Sequence, residues 1–363
     1  MKPLYPILAL LLLAFCSSRA ADAPSAVPAS TGSVSNPTSA APVPAAAPDK
    51  VAAKPLFRDP VYDGATDPTI IYHPEDKKWY MFYTNRRANV PDLNGVTWVH
   101  GTPIGIAASA DGGATWQYVG QAKINYKDAV PNPTWWAPAV VVHNGLYHMY
   151  LVYVPGIFTD WSHPRYIIHL TSKDLLSWDY QSTLPLSNPK VIDAGVLRLP
   201  DGTWRLWYKD EATGSSCNYA DSPDLVTWTD HGRVPALSDA GGEAPLPFHW
   251  QGYYWLMRDI TGGRHGLALY RSDDALRWTR VGTLLQAPGT GPDDTAVGHH
   301  PEVILSGDRA YLFYFTQFNR RTSIQVTELK YDATNKTLTC DRNTPTMINL
   351  QPPKDPETNS KFN

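Results

Sequence analysis

Short apolar runs, each followed by a turn and an aromatic-rich run of similar length, recur along the chain at intervals near 50 residues. The segments run from Asp67 to Tyr83, Trp136 to Tyr153, Asp193 to Tyr208, Glu243 to Met257 and His300 to Phe315. Turn dipeptides such as Asn144-Gly145, Asp201-Gly202 and Gln251-Gly252 separate the two runs, which is the pattern of a β-hairpin. A second signature, Ser-x-Asp followed by Trp, comes after the first four hairpins and ends at Trp116, Trp178, Trp228 and Trp278. A degenerate copy begins at Tyr331. Two hairpins per repeat make a four-stranded sheet. Five such sheets cannot each bury both faces alone, so the pattern predicts an all-β, five-bladed β-propeller over residues 56–350. The Ser-Asp-Trp turns and the aromatic second strands are expected to be structural, the first closing turns and the second filling the space between blades.

Counting three residues back from the first apolar position of each hairpin gives Asp67, Trp136, Asp193, Glu243 and His300. The innermost strands of a propeller line its channel, so these five side chains are expected at one mouth. Three carboxylates held close together raise one another's pKa and cost stability unless chemistry or a cation uses them. Glycoside hydrolysis needs carboxylates of different character, one protonated toward the leaving oxygen and one ionised toward water or the anomeric carbon. A serine or cysteine nucleophile has less support: there is no Gly-x-Ser-x-Gly elbow, and Cys217 has no identifiable partner.

The ends of the chain differ from this middle. Lys2, the apolar run Ile7 to Phe15 and the small residues up to Ala20 form the pattern of a secretory signal, residues 1–20. Export to the periplasm or medium is expected, in preference to a lipid anchor on Cys16, because Phe15 stands where a small residue normally precedes a lipidated cysteine. No apolar run reaches the roughly 20 residues that span a bilayer, so membrane insertion of the mature domain is not expected. Residues 21–55, rich in Ala, Pro and Ser, read as a flexible linker, and 351–363 as a polar tail. A formal charge of -3 with no basic run argues against nucleic acid as a partner. Cys217 and Cys340 are expected to be free thiols.

At the channel residues the chain resembles glycoside hydrolase family 43, the inverting arabinan- and xylan-acting five-bladed propellers. The matching pieces are Asp67-Pro68, Trp136-Ala137-Pro138, Ile192-Asp193, Glu243-Ala244-Pro245 and Gly298-His299-His300, one per blade and in order. The resemblance implies a carbohydrate substrate, with Asp67 as general base, Glu243 as general acid and Asp193 as the neighbour that tunes the acid. It also implies an Asp67 to Glu243 separation of roughly 6.5–9.5 Å. No cofactor is required, but some relatives hold an axial cation such as calcium near the fifth-blade histidine, here His300 with His299 as its rival.

The chain departs from the family at Asp193-Ala-Gly and at Glu302, which is either an additional acid or a structural ion partner. The first-blade insertion brings Arg87, Trp98 and His100 as candidate substrate-binding residues, beside Trp136, His299 and His300. Two other enzyme readings remain at this stage. One is a sialidase-like propeller, suggested by Ser109 to Trp116; the other is a propeller acting on neoagaro-oligosaccharides. The non-enzyme reading is a carbohydrate-binding propeller that has lost catalysis.

Overall fold

The computed structural model describes residues 48–354, apart from 236, 238–240 and 261–265, together with Lys361. The expectations for the signal, Cys16 and most of the linker lie outside the described residues. Five antiparallel sheets follow one another along the chain. Their innermost strands are Ala65–His73, Thr134–His143, Val191–Arg198, Gly242–Trp250 and His299–Ser306, and each contacts the next in a closed ring. Four blades have four strands. The second gains a fifth, Lys123–Asn125, laid parallel on the outer strand Ser177–Thr183 by the segment that enters from the first blade.

Successive residues of a strand point to opposite faces, and here both faces meet another blade. Ile70 therefore packs toward the fifth blade with Phe313, while Ile71 packs toward the second with Val140 and Trp178. This two-sided burial makes the strands read as near-continuous apolar runs. Asn144-Gly145 and Gln251-Gly252 have positive φ at both residues, which suits the twist of the flanking strands.

The Ser-Asp-Trp turns are structural, as expected. The Ser172 hydroxyl donates to Asp174 (3.0 Å) and accepts from the Leu175 N–H (2.9 Å), while Trp178 Nε1 donates to the Leu175 carbonyl (3.3 Å). Leu225 of the equivalent third-blade turn accepts from the Tyr150 hydroxyl of the second blade at 2.7 Å. This turn thus ties its own blade to the preceding one, as does the fourth-blade turn, whose Ala275 carbonyl accepts from Arg205 at 3.2 Å.

The inner strands share one irregularity. Every one carries a β-bulge at the same point, between Thr66 and Thr69, Trp136 and Ala139, Ile192 and Gly195, Glu243 and Leu246, and His299 and Glu302. The second residue of each bulge, Asp67, Ala137, Asp193, Ala244 or His300, has φ between 41° and 59°. The count from the first apolar residue therefore set Trp136 and Glu243 one place out of register: Ala137 and Ala244 are the equivalents of the two aspartates. Trp136 and Glu243 still reach the mouth, because a bulge sets two residues against one on the partner strand and re-aims the side chains there.

Close backbone approach sets the spacing between the third and fourth blades. A Cβ on Gly195 would lie 1.9 Å from the Pro245 carbonyl oxygen. Gly195→Ala is expected to cost about 1–3 kcal/mol by overpacking and to lower the Tm by several degrees. A calorimetric Tm equal to that of the parent protein would rule the close approach out.

Two domain boundaries need correction. Lys50–Val51 pairs with Met347–Ile348, and Ala52 is buried, so the end of the expected linker is part of the fold. Lys361, in the expected polar tail, is buried: its carbonyl accepts from the His249 N–H, and its ammonium lies 3.1 Å from Glu302. Cys217 and Cys340 are free thiols, the first buried and the second half-buried.

Candidate active site

The bulges and the first-blade insertion form a cavity of about 390 Å³ at one end of the ring. Asp67, Asp193 and His300 enter it from the left-handed bulge position, and Trp136, Ile192 and Glu243 from the residue before. The three expected carboxylates thus belong to three blades and share one hollow.

Asp67 is buried and well partnered. The Thr66 hydroxyl donates to it at 3.0 Å, His300 Nδ1 lies 3.3 Å away, and the Arg86 guanidinium is at 3.7 Å. Asp193 is 6 % exposed and accepts from the Ala244 N–H of the next blade at 3.0 Å. Burial pushes its carboxyl up to about 7; His300 and Lys209 oppose this, and Glu243 and Asp67 add to it. Glu243 shifts the other way: burial alone would raise it, but Lys209, 2.9 Å away, pulls it below the usual carboxylate range. About a third of the Glu243 side chain (36 %) stays open to the cavity. The two neighbours are therefore shifted in opposite directions, Asp193 toward its protonated form and Glu243 toward its anion.

The structure separates the other candidates. Trp98 and Trp136 line the cavity, and Trp136 Nε1 donates to the Val99 carbonyl of the insertion at 2.6 Å. Arg87 does not reach the cavity: it turns back to donate to the Thr97 carbonyl at 2.6 Å, and its neighbour Arg86 takes the wall position. His100 lies behind Trp136, fully buried, with Nε2 2.9 Å from His163 Nε2; burial lowers it to about 4, so it supports the wall as a neutral ring.

His299 is also outside the cavity lining. Its Nδ1 lies 2.9 Å from Asp259, which raises its pKa against the effect of burial, and its ring stacks on Phe315. Glu302 takes the structural alternative: it is buried, pushed up to about 7 by that burial, and paired with Lys361. His300 Nδ1 is engaged with Asp67, and Arg86 faces the same carboxylate. Among the described residues no three His, Cys, Asp or Glu side chains converge as metal donors.

Five functional candidates escaped the sequence reading. Lys209 and Asp259 sit directly across the ladder from Ile192 and Glu243, so both follow from the bulge register once it is known. Glu211 lies just beyond the end of the same second strand. Trp161 and Arg165 come from the connection between the second and third strands of blade two, where no repeat marks a position.

No family model matches the sequence, and comparison with curated proteins finds no match. Among solved structures, 359 chains match. One is a family-43 β-1,3-galactosidase with galactodeoxynojirimycin, at 15 % identity and TM-score 0.58, covering 81 % of this chain and 97 % of that one. Another is a family-43 β-xylosidase/α-arabinofuranosidase from a compost metagenome, with xylotriose in a calcium-free form; the values are 17 %, 0.57, 76 % and 93 %. A third is an α-L-arabinanase mutant from Cellvibrio cellulosa, at 16 %, 0.57, 77 % and 95 %. The chain has the five-bladed fold of these glycoside hydrolases. The resemblance read from the sequence holds at the level of fold.

Proposed function

We propose that this chain is a glycoside hydrolase acting on plant or algal oligo- or polysaccharides with inversion of anomeric configuration. The observation that carries the proposal is the convergence of Asp67, Asp193 and Glu243 from three blades on one cavity, with the last two shifted in opposite directions. The solved structures of like fold support it, three of them enzymes acting on xylosyl, arabinosyl or galactosyl links.

Asp67 is the general base. Its oxygens face His300, Arg86 and the Thr66 hydroxyl, which orient it toward a water on one side of the sugar ring. The Asp193–Glu243 pair supplies the acid. The pair shares one titrating proton: the buried Asp193 holds it in the free site, and as a sugar displaces water from the cavity it passes to the pocket-facing Glu243, which gives it to the departing oxygen and is left as the anion beside Lys209. Room for an attacking water requires Asp67 and Glu243 to stand roughly 6.5–9.5 Å apart. Trp98, Trp136 and Trp161 offer apolar ring faces for the sugar.

The test is hydrolysis of a panel of chromogenic xylosides, arabinofuranosides, galactosides and neoagaro-oligosaccharides, with the first-formed anomer read by proton NMR. The expected product has the configuration opposite to the substrate; retention would defeat the inverting assignment. Binding without turnover on every member would favour the carbohydrate-binding reading. The proposal includes export, for which N-terminal sequencing of the mature protein should show the first 20 residues removed.

A further inference from the structure

Lys209 has no counterpart among the residues expected at the mouth. Its side chain is 6 % exposed, and its ammonium lies 2.9 Å from Glu243 and 3.0 Å from Glu211. Glu211 in turn forms an ion pair with Arg165, whose Nε lies 2.5 Å away, and the Arg165 fork donates to the Trp161 carbonyl at 3.0 Å. The result is a chain of alternating charge from blade two, through blade three, to the acid of blade four. It is anchored at its far end by the segment that carries Trp161 into the cavity.

We infer that Lys209 is a positioning residue for the reaction: held from behind by Glu211 and Arg165, it fixes where the Glu243 carboxyl sits in the cavity. The inference rests on the hydrolase reading above and goes beyond it by assigning this chain of charges a task. A buried lysine with one acceptor would serve as a counter-ion only. Two carboxylates flank the ammonium, Glu243 as hydrogen-bond acceptor and Glu211, itself paired with an arginine, as ion partner, and Glu243 is the end of the chain left open to the cavity. Breaking such a chain leaves a buried charge uncompensated, so the arrangement is sensitive to loss of any one member.

Geometry also sets the direction of the pH effect. Glu243 faces Lys209 on the third blade, His300 on the fifth and Arg165 on the second as positive or protonatable groups. It faces Asp67, Asp193 and Asp259 as acids, and His299 in addition. Lys209 is the cation in contact. Removing it disfavours the Glu243 anion and moves proton loss from the pair to higher pH.

The experiment compares wild type with Lys209→Met, Lys209→Arg and Glu211→Gln. In a ¹³C-carboxyl NMR titration of glutamate-labelled protein, with Glu243 assigned by its absence in Glu243→Gln, Lys209→Met is expected to raise the Glu243 midpoint by at least about one unit. Lys209→Arg should restore most of the shift, and Glu211→Gln, which should fold even if Lys209→Met does not, should change the midpoint measurably. An unmoved midpoint in Lys209→Met, or in Glu211→Gln where the methionine variant fails to fold, overturns the inference.

On the best substrate, Lys209→Met is expected to lower kcat about 10- to 100-fold, the loss of a well-aimed acid. KM should change much less, and the basic limb of the kcat profile should move upward. Unchanged kcat and profile also overturn the inference. No turnover by wild type would instead sink the hydrolase reading, and the NMR titration would still decide whether Lys209 holds Glu243.

Discussion

Asp67→Asn is expected to lower kcat/KM by about 10³-fold, within the range for loss of a general base, while leaving the fold intact. The backbone makes this variant a clean one. Asp67 has φ 53°, a left-handed conformation that asparagine tolerates and alanine adopts at a cost of roughly 1 kcal/mol or more. The asparagine oxygen can still accept from the Thr66 hydroxyl, so the pocket wall keeps its shape. Glu243→Gln should be similarly inactive on substrates with poor leaving groups, and less impaired where the departing phenol needs little protonation. Circular dichroism and calorimetry matching the parent protein, together with lost turnover, establish the role. An Asp67→Asn variant that turns over at more than about a tenth of the wild-type rate excludes Asp67 as the base.

Asp193→Asn should abolish most activity and at the same time stabilise the protein above neutral pH. The sign follows from proton binding. An unfolded aspartate titrates near its ordinary value, about 3.9, while the folded carboxyl titrates at about 7. Between these values the folded state holds a proton that the unfolded state has released. Asp193 therefore favours folding fully only below the lower value, and this contribution is lost as pH rises through the upper one. Asparagine also suits φ 59° and can accept from the Ala244 N–H, so the substitution removes the ionisation without breaking the link between blades. Relative to wild type, the gain should be on the order of 4 kcal/mol at pH 8 and shrink toward pH 4. Denaturant unfolding at several pH values measures it. A difference independent of pH would show that Asp193 is not the raised carboxyl.

The two predictions share a cause. Asp67 and Asp193 occupy the same strained bulge position on different blades, and the conformation that aims them into the cavity is one most residues avoid. The sequence marks the place: proline follows the bulge residue as Pro68, Pro138, Pro245 and Pro301, with Ala194 as the exception. Aligning on these prolines gives the register found in the structure. Counting from the first apolar residue misplaced Trp136 and Glu243, because Ala139 and Leu246 are apolar one position earlier than Val140 and Pro247 are reached.

Arg86 and Arg87 show a different limit. Both are inserted residues with the same chemistry. Arg86 continues from the strand Lys78–Asn85 and stacks between Trp98 and Phe315, while Arg87 is drawn back by the Thr97 carbonyl. Composition cannot distinguish two adjacent arginines. The peptide geometry at the strand end does.

Repeat spacing, turn dipeptides and apolar runs sufficed to determine the five-bladed architecture and to set Asp67 and Asp193 at one repeat position, because each depends on local pattern repeated in order; Glu243 came from a count one place out of register and reaches the same hollow through the bulge. Tertiary structure alone decided that Asp193 and Glu243 are shifted in opposite directions, that Lys209, Glu211 and Arg165 form a chain of charges reaching Glu243 from two other blades, and that Glu302 pairs with Lys361 rather than lining the cavity. Electrostatic environment is the sum of charges brought together from distant parts of the chain, and its strength depends on distances of a few ångström and on burial.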